Sequence, residues 1–128
     1  MENLDSEILD NIVAVLGCEK SEIHDVYPLK QGITNLSCHF ATNDGEWVYR
    51  HPGIGTELLI DRNAEKAALE TAAKLGLDDT FVFENPRRGW KISKFVVNCK
   101  NLDAHNGEQL DQAMRMARKL HESNAKVE

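Results

Sequence analysis

The segment Asn43-Asp44-Gly45 constrains the fold of this chain more than any other short stretch. Asn, Asp and Gly tolerate positive φ, and here they separate two runs of strand-like composition, Leu36–Thr42 and Glu46–Arg50. This turn predicts that the two runs pair as an antiparallel hairpin. Another strand, Ile23–Lys30, precedes the hairpin, and Pro52 is expected to end its last strand because proline cannot donate to a sheet ladder.

Three other segments have the apolar spacing of amphipathic helices. They are an N-terminal helix that ends at Gly17, a long Ala-rich helix over Glu57–Leu75 that Thr56 caps, and a last helix over Asn106–His121. Two short strands, Phe81–Glu84 and Trp90–Val97, lie between the second and third helices, joined by a turn rich in Asn, Pro and Gly. The order predicts an α+β protein: a five-stranded, mostly antiparallel sheet with one long packed helix, plus an N-terminal and a C-terminal helix.

The composition excludes several functional classes. At 128 residues the chain is long enough for one domain with a core, and its net charge of −6 disfavours binding to nucleic-acid phosphates. The first residues are acidic where a signal peptide is basic, and no apolar run reaches the ~18 residues of a membrane span. The three cysteines lack zinc-ligand spacing, so we expect no metal site. Together these features predict a cytoplasmic protein with neither nucleic acid nor a membrane as partner.

Three polar blocks have the order expected of half a nucleotide-phosphate site. A turn containing Gly32, Thr34, Asn35 and Ser37 can direct N–H and hydroxyl groups at phosphate oxygens. A strand then ends in a cation, Arg50, and a helix carries an acid, Glu65, in the block Arg62-Asn63-Ala64-Glu65. Taken one at a time, these residues favour an ordinary hairpin turn, an exposed strand arginine and a solvated helix glutamate.

The blocks together, in this order and spacing, resemble the N-terminal lobe of bacterial choline kinases. These enzymes belong to the choline/ethanolamine kinase and aminoglycoside phosphotransferase superfamily, which has the protein-kinase-like fold. The matching residues extend from about Leu29 to His121. They are Leu29-Lys30-Gln31-Gly32-Ile33-Thr34-Asn35, Tyr49-Arg50-His51-Pro52-Gly53-Ile54-Gly55-Thr56-Glu57, Arg62-Asn63-Ala64-Glu65, Gly89-Trp90-Lys91-Ile92-Ser93-Lys94-Phe95 and Leu120-His121.

The resemblance implies a role for several residues. Arg50 occupies the strand position where protein kinases have a lysine, and Glu65 is the helix carboxylate that orients it over the ATP phosphates. The carbonyl of Lys94 and the N–H of Val96 correspond to the hinge that holds adenine. The implied division is residues 1–20 as an N-terminal helix, 21–100 as the nucleotide-binding lobe, and 101–128 as a connecting segment and helix that lead to a C-terminal lobe.

The sequence shows no match to the catalytic motifs of this family, a His-x-Asp…Asn loop and a following Asp-containing motif. In the family that the chain resembles, these motifs lie on the C-terminal lobe and bind magnesium and the alcohol. We therefore expect ATP as the ligand of this chain, with Mg²⁺ and choline, or a similar small alcohol, bound only with that lobe. We expect no catalytic residue in this chain, and no choline kinase activity from the chain alone.

Two alternatives stay open from the residues alone. One is a non-catalytic domain that binds a nucleotide or a partner, and the other is the equivalent lobe of a related ethanolamine, thiamine or aminoglycoside kinase. The apolar stripe of the last helix, formed by Leu110, Met114, Ala117 and Leu120, also predicts a homodimer if no second lobe covers it. Sequence beyond Glu128 would separate the first alternative from a kinase.

Overall fold

The computed structural model describes residues 6–29, 35–52, 60–97, 99 and 101–125. These residues form an α+β fold with three α-helices and five strands in the described part of the chain, as the sequence predicts. In chain order the elements are α1 (Ser6–Leu16), β1 (His24–Leu29), β2 (Asn35–Thr42), β3 (Gly45–Pro52), α2 (Arg62–Lys74), β4 (Phe81–Glu84), β5 (Lys91–Lys94) and α3 (Gly107–Glu122).

All pairings in the sheet are antiparallel, and the spatial order of the strands is β1-β2-β3-β5-β4. The register of β2 and β3 runs from Asn35 opposite Pro52 to Thr42 opposite Gly45. The predicted hairpin is therefore confirmed, and Asn43 and Asp44 are its two turn residues. The register also places Ser37 opposite Arg50, and Lys91 of β5 opposite Arg50 on the other side. Residues in register share a face of the sheet.

The hydrophobic core lies between α1 and one face of the sheet. Its buried members are Ile12, Phe40, Tyr49, Trp90 and Ile92. The rings of Tyr49 and Trp90 stack with centroids 5.8 Å apart, and the Asn11 side chain donates to the Tyr49 hydroxyl over 3.1 Å. Because successive residues of a strand point to opposite faces, Arg50 is turned away from this core. The core thus fixes the strand that presents Arg50 to the other face.

Helix α2 begins later than the sequence pattern predicts. Ile60 is not helical, and Asp61 is the N-cap, with its side chain accepting from the N–H of Ala64 over 3.1 Å. The predicted start at Glu57 and its cap Thr56 lie outside the described residues. At the other end the prediction is confirmed, since Gly76 has a φ of 75° and follows the C-cap Leu75. Aspartate at the N-cap satisfies a backbone donor that has no partner in the first turn.

Strand β5 is shorter than the predicted Trp90–Val97 and ends at Lys94. Its regular pairing with both neighbouring strands ends at this residue. Lys94 is opposite Trp47 of β3, and its N–H donates to the carbonyl of Thr80, the residue before β4. One more bond, from the N–H of Phe95 to the carbonyl of Glu46, completes the pairing with β3. Val96 therefore follows the strand, with 52% of its surface exposed.

Helix α3 begins after the N-cap Asn106, whose side chain accepts from two backbone N–H groups of the first turn. No residue of this helix is buried. The large apolar side chains of the predicted stripe, Leu110, Met114 and Leu120, are all exposed. Near its C-terminal end α3 lies beside α2, where Leu120 and His121 line a cleft with Ala68 and Ala72.

Candidate functional site

Arg50 and Glu65, which the sequence predicts to pair, form a two-pronged ion pair between β3 and α2. The Nη1 atom of Arg50 donates to Oε2 of Glu65 over 3.1 Å, and Nη2 donates to Oε1 over 2.8 Å. The geometry is the fork-to-fork contact that arginine makes with a carboxylate, and it fixes the plane of the guanidinium. The Arg50 side chain is 9% exposed, so this is not a solvated surface pair.

A second carboxylate, that of Glu84 at the end of β4, contacts the same guanidinium. Nη2 of Arg50 donates to Oε2 of Glu84 over 2.9 Å and to the carbonyl oxygen of Gly89 over 3.0 Å. Glu84 is completely buried. Its Oε1 atom and the Nε atom of Arg50 have no hydrogen-bond partner among the described residues. Helix α2, strand β4 and the turn before β5 therefore hold Arg50 in one orientation.

Arg62, the first residue of α2, completes a cluster of two arginines and two glutamates. Its Nη1 donates to Oε1 of Glu65 over 2.9 Å, one helical turn away. Burial raises the pKa of Glu65, but contacts with Glu84, Arg50 and Arg62 outweigh burial and lower this pKa to about 2. Glu65 is therefore ionised throughout the neutral range. We call these four residues, Arg50, Arg62, Glu65 and Glu84, the arginine–carboxylate cluster.

Glu84 differs from Glu65 in its protonation. Burial is the largest cause that raises the pKa of Glu84, the neighbouring Glu65 carboxylate adds to it, and together they outweigh Arg50 and raise this pKa to about 7. Two carboxylates that share one site separate in this way, because only one of them ionises easily. Near neutral pH the cluster thus contains one carboxylate and one carboxyl group that is partly protonated.

Gly89 allows the close approach that this cluster needs. Its φ of 84° is in the left-handed region, and a Cβ built there would lie 3.2 Å from Pro52 and 3.4 Å from Nε of Arg62.

We expect Gly89→Ala to lower the free energy of unfolding by about 2 kcal/mol, from the strained φ and the crowding together. Urea unfolding followed by circular dichroism measures this. Gly107→Ala is the control, since no atom lies near its Cβ position, and a loss as large there would contradict the explanation.

The other predicted site residues are only partly described. Gly32 and Thr34 lie outside the described residues, and Asn35 is the first residue of β2, where only its backbone is described. Ser37 shares the face and the register of Arg50. Lys94 and Val96 lie where β5 ends. Lys94 is opposite Trp47, three residues before Arg50, so its side chain points to the other face. The contacts predicted for Lys94 and Val96 involve only their backbone groups, and they stay a prediction.

The sequence analysis did not identify Glu84, the Gly89 carbonyl or the role of Arg62. Arg62 was part of the matching block Arg62-Asn63-Ala64-Glu65, and its i,i+3 spacing from Glu65 was the available signal. Glu84 is 34 residues from Arg50 in sequence. A glutamate at the end of a four-residue strand is ordinarily solvated, so nothing local indicated a buried one.

Among the described residues, no three His, Cys, Asp or Glu side chains lie close enough together to hold a metal ion. The two carboxylates of the arginine–carboxylate cluster contact arginines.

In the described part of the chain, no helix is both long and apolar enough to cross a membrane.

Solved structures with a similar fold include two of a choline kinase. Choline kinase LicA from Streptococcus pneumoniae matches with a TM-score of 0.74 at 24% identity, over 95% of this chain and 42% of that one. A structure of LicA in complex with AMP matches with a TM-score of 0.70 at 23% identity, over 99% of this chain and 44% of that one. No protein-family model matches the sequence, and no curated protein is significantly similar to it.

The resemblance inferred from the motifs is therefore confirmed at the level of the fold. The chain has the protein-kinase-like fold of a lobe-sized part of a choline kinase. It spans less than half the length of either solved structure.

Proposed function

We propose that this chain is the ATP-binding lobe of a choline-kinase-like phosphotransferase. In the complete enzyme the γ-phosphoryl group of ATP would pass to the hydroxyl oxygen of choline, giving phosphocholine and ADP. The observation that carries the proposal is the Arg50–Glu65 pair, with two hydrogen bonds of 3.1 and 2.8 Å between the third strand and the following helix. A cation held this way by a helix carboxylate is the part of a kinase lobe that positions the nucleotide phosphates.

The surroundings of Arg50 support this role. A guanidinium stays charged at every pH of interest, and its fixed plane reduces the entropy lost when it binds a phosphate. Ser37 lies opposite Arg50 on the neighbouring strand, and the sequence predicts a phosphate-binding turn with Gly32 and Thr34 shortly before it. We propose that this turn covers the phosphates, and that the backbone of Lys94 and Val96 binds adenine. The structure of LicA with AMP supports an adenine nucleotide as ligand.

Direct titration with ATP tests the proposal. We expect the 128-residue chain to bind ATP with a Kd on the order of a millimolar, which is about −4 kcal/mol. Arg50→Ala should abolish binding because the phosphates lose their cation. Glu65→Gln should weaken it less, since Arg50 keeps its charge and loses only one orienting partner. Backbone amide shifts in ¹H–¹⁵N NMR spectra report each Kd and the residues affected.

The matched control is Arg115→Ala, which removes an arginine that pairs with Asp111 on the exposed surface of α3. Its Kd for ATP should equal that of the parent. Amide shifts confined to residues far from Ser37, Arg50 and Lys94–Val96 would count against the site. Equal binding by Arg50→Ala and the parent would reject it.

A further inference from the structure

The arginine–carboxylate cluster contains an excess of acceptors around one atom. Nη2 of Arg50 has two hydrogens, yet three oxygens lie within 3.0 Å of it, from Glu65, Glu84 and Gly89. Oε2 of Glu84 therefore shares the N–H groups of Nη2 with the two other acceptors. Its Oε1 atom has no hydrogen-bond partner among the described residues. A fully buried carboxylate with so few donors is costly, and a proton on it removes most of that cost.

We propose that Glu84 is a positioning residue whose buried carboxyl group takes up and releases a proton, and thereby sets the net charge that Arg50 presents to the nucleotide phosphates. With Glu84 neutral, two guanidinium groups face one carboxylate, and the cluster has one net positive charge. With Glu84 ionised, the cluster is neutral. The inference rests on the proposed function, because it concerns the affinity of the same site for a phosphate.

The groups that face Glu84 come from three elements. Arg50 lies on β3, Glu65 and Arg62 lie on α2, and Lys91 is the residue opposite Glu84 on β5. Burial is the main cause that lowers the pKa of Lys91, and the charge of Arg50 lowers it further. Since the pKa of Glu84 is raised to about 7, we expect the charge of the cluster to change near this pH.

The sign of the effect follows from this charge. A polyanion binds better to the protonated cluster, so ATP affinity should fall as pH rises through about 7. If a bound phosphate raises the pKa of Glu84 by about one unit, the affinity changes about tenfold across the titration. Glu84→Gln mimics the protonated side chain: its amide oxygen accepts from Arg50, and its NH₂ group donates to Glu65.

The first experiment measures the Kd of ATP from pH 6 to pH 9 for the parent and for Glu84→Gln. ATP itself titrates near neutral pH, so the ratio of the two Kd values is the readout. We expect similar Kd values at pH 6 and about tenfold weaker binding by the parent at pH 9. A ratio that stays at one across this range would overturn the inference, since a merely structural glutamate gives no such pH dependence.

The second experiment needs no nucleotide. The carboxyl carbon of Glu84 is followed by ¹³C NMR against pH and assigned by its loss in Glu84→Gln. We expect the midpoint of this titration to lie at about pH 7. A midpoint near the ordinary pKa of a glutamate would overturn this inference but leave the proposed function standing. Failure of the parent to bind ATP at any pH would instead overturn the proposed function and the coupling to it. Because the proton stabilises the fold, the melting temperature of the parent should also fall relative to Glu84→Gln as pH rises from about 4.5 to about 7, and the difference should stay constant above that pH.

Discussion

Arg50→Ala should lower the free energy of unfolding by about 3 kcal/mol. Removing one partner of a buried ion pair leaves the other charge without compensation, which costs roughly 3–5 kcal/mol in comparable cases. The lower end applies here because Glu65 keeps its 2.9 Å contact with Arg62, and Glu84 can take up a proton. Since the whole stability of a small domain is about 5–15 kcal/mol, this variant should unfold at a much lower urea concentration.

The control for this prediction is again an arginine on the surface. Arg115 pairs with Asp111 over 2.6 Å, but its side chain is 79% exposed. Arg115→Ala should change the free energy of unfolding by no more than about 0.5 kcal/mol. Urea unfolding of both variants at the same micromolar protein concentration gives the comparison. Equal losses in the two variants would show that the arginine–carboxylate cluster contributes no more than a solvated pair.

Ile12→Ala should cost a similar amount, about 3 kcal/mol, for a different reason. Ile12 is the fully buried residue of α1, and it packs with Phe40, Tyr49 and Ile92. Truncation of a buried isoleucine loses its transfer free energy and leaves a cavity, which costs roughly 2–5 kcal/mol. Because α1 covers the face of β3 opposite Arg50, the variant should loosen the strand that positions Arg50. Thermal or urea unfolding measures the loss.

Met116→Ala on α3 is a truncation of similar size at a site that is 42% exposed. We expect it to change the free energy of unfolding by less than about 0.5 kcal/mol. If Ile12→Ala behaved like Met116→Ala, α1 would not be an integral part of the core. In that case the N-terminal helix would be an appendage to the sheet and not the layer that covers it.

The parts of the structure that the sequence predicts are those with local chemical signals. Asn43-Asp44-Gly45 specifies a two-residue turn, and this turn fixes the register that places Ser37 beside Arg50. The start of α2 was mispredicted because Thr56 and Asp61 are both good N-caps, and local sequence does not choose between them. The end of β5 was mispredicted because strand length depends on the partners, which are here the short β4 and the first residues of β3.

The candidate site shows the same division. The Arg50–Glu65 pair was predictable because their order on a strand and a following helix matches a known arrangement. Glu84 was not, since its role depends on a contact across 34 residues and on complete burial, neither of which the sequence reveals. Sequence patterns are least informative for buried polar networks of this kind, because the cost of removing a glutamate from water is offset by contacts with residues that are distant in sequence.

The most direct test of the central claim is the NMR signal of the Arg50 side chain during an ATP titration. Its Nε–H is buried and has no partner among the described residues, so slow exchange with water should make it observable. Its loss in Arg50→Lys assigns it. We expect this resonance to shift in a saturable way with the same Kd as the amide of Ser37. A resonance that stays fixed at ATP concentrations far above a millimolar would contradict the claim that Arg50 binds the phosphates.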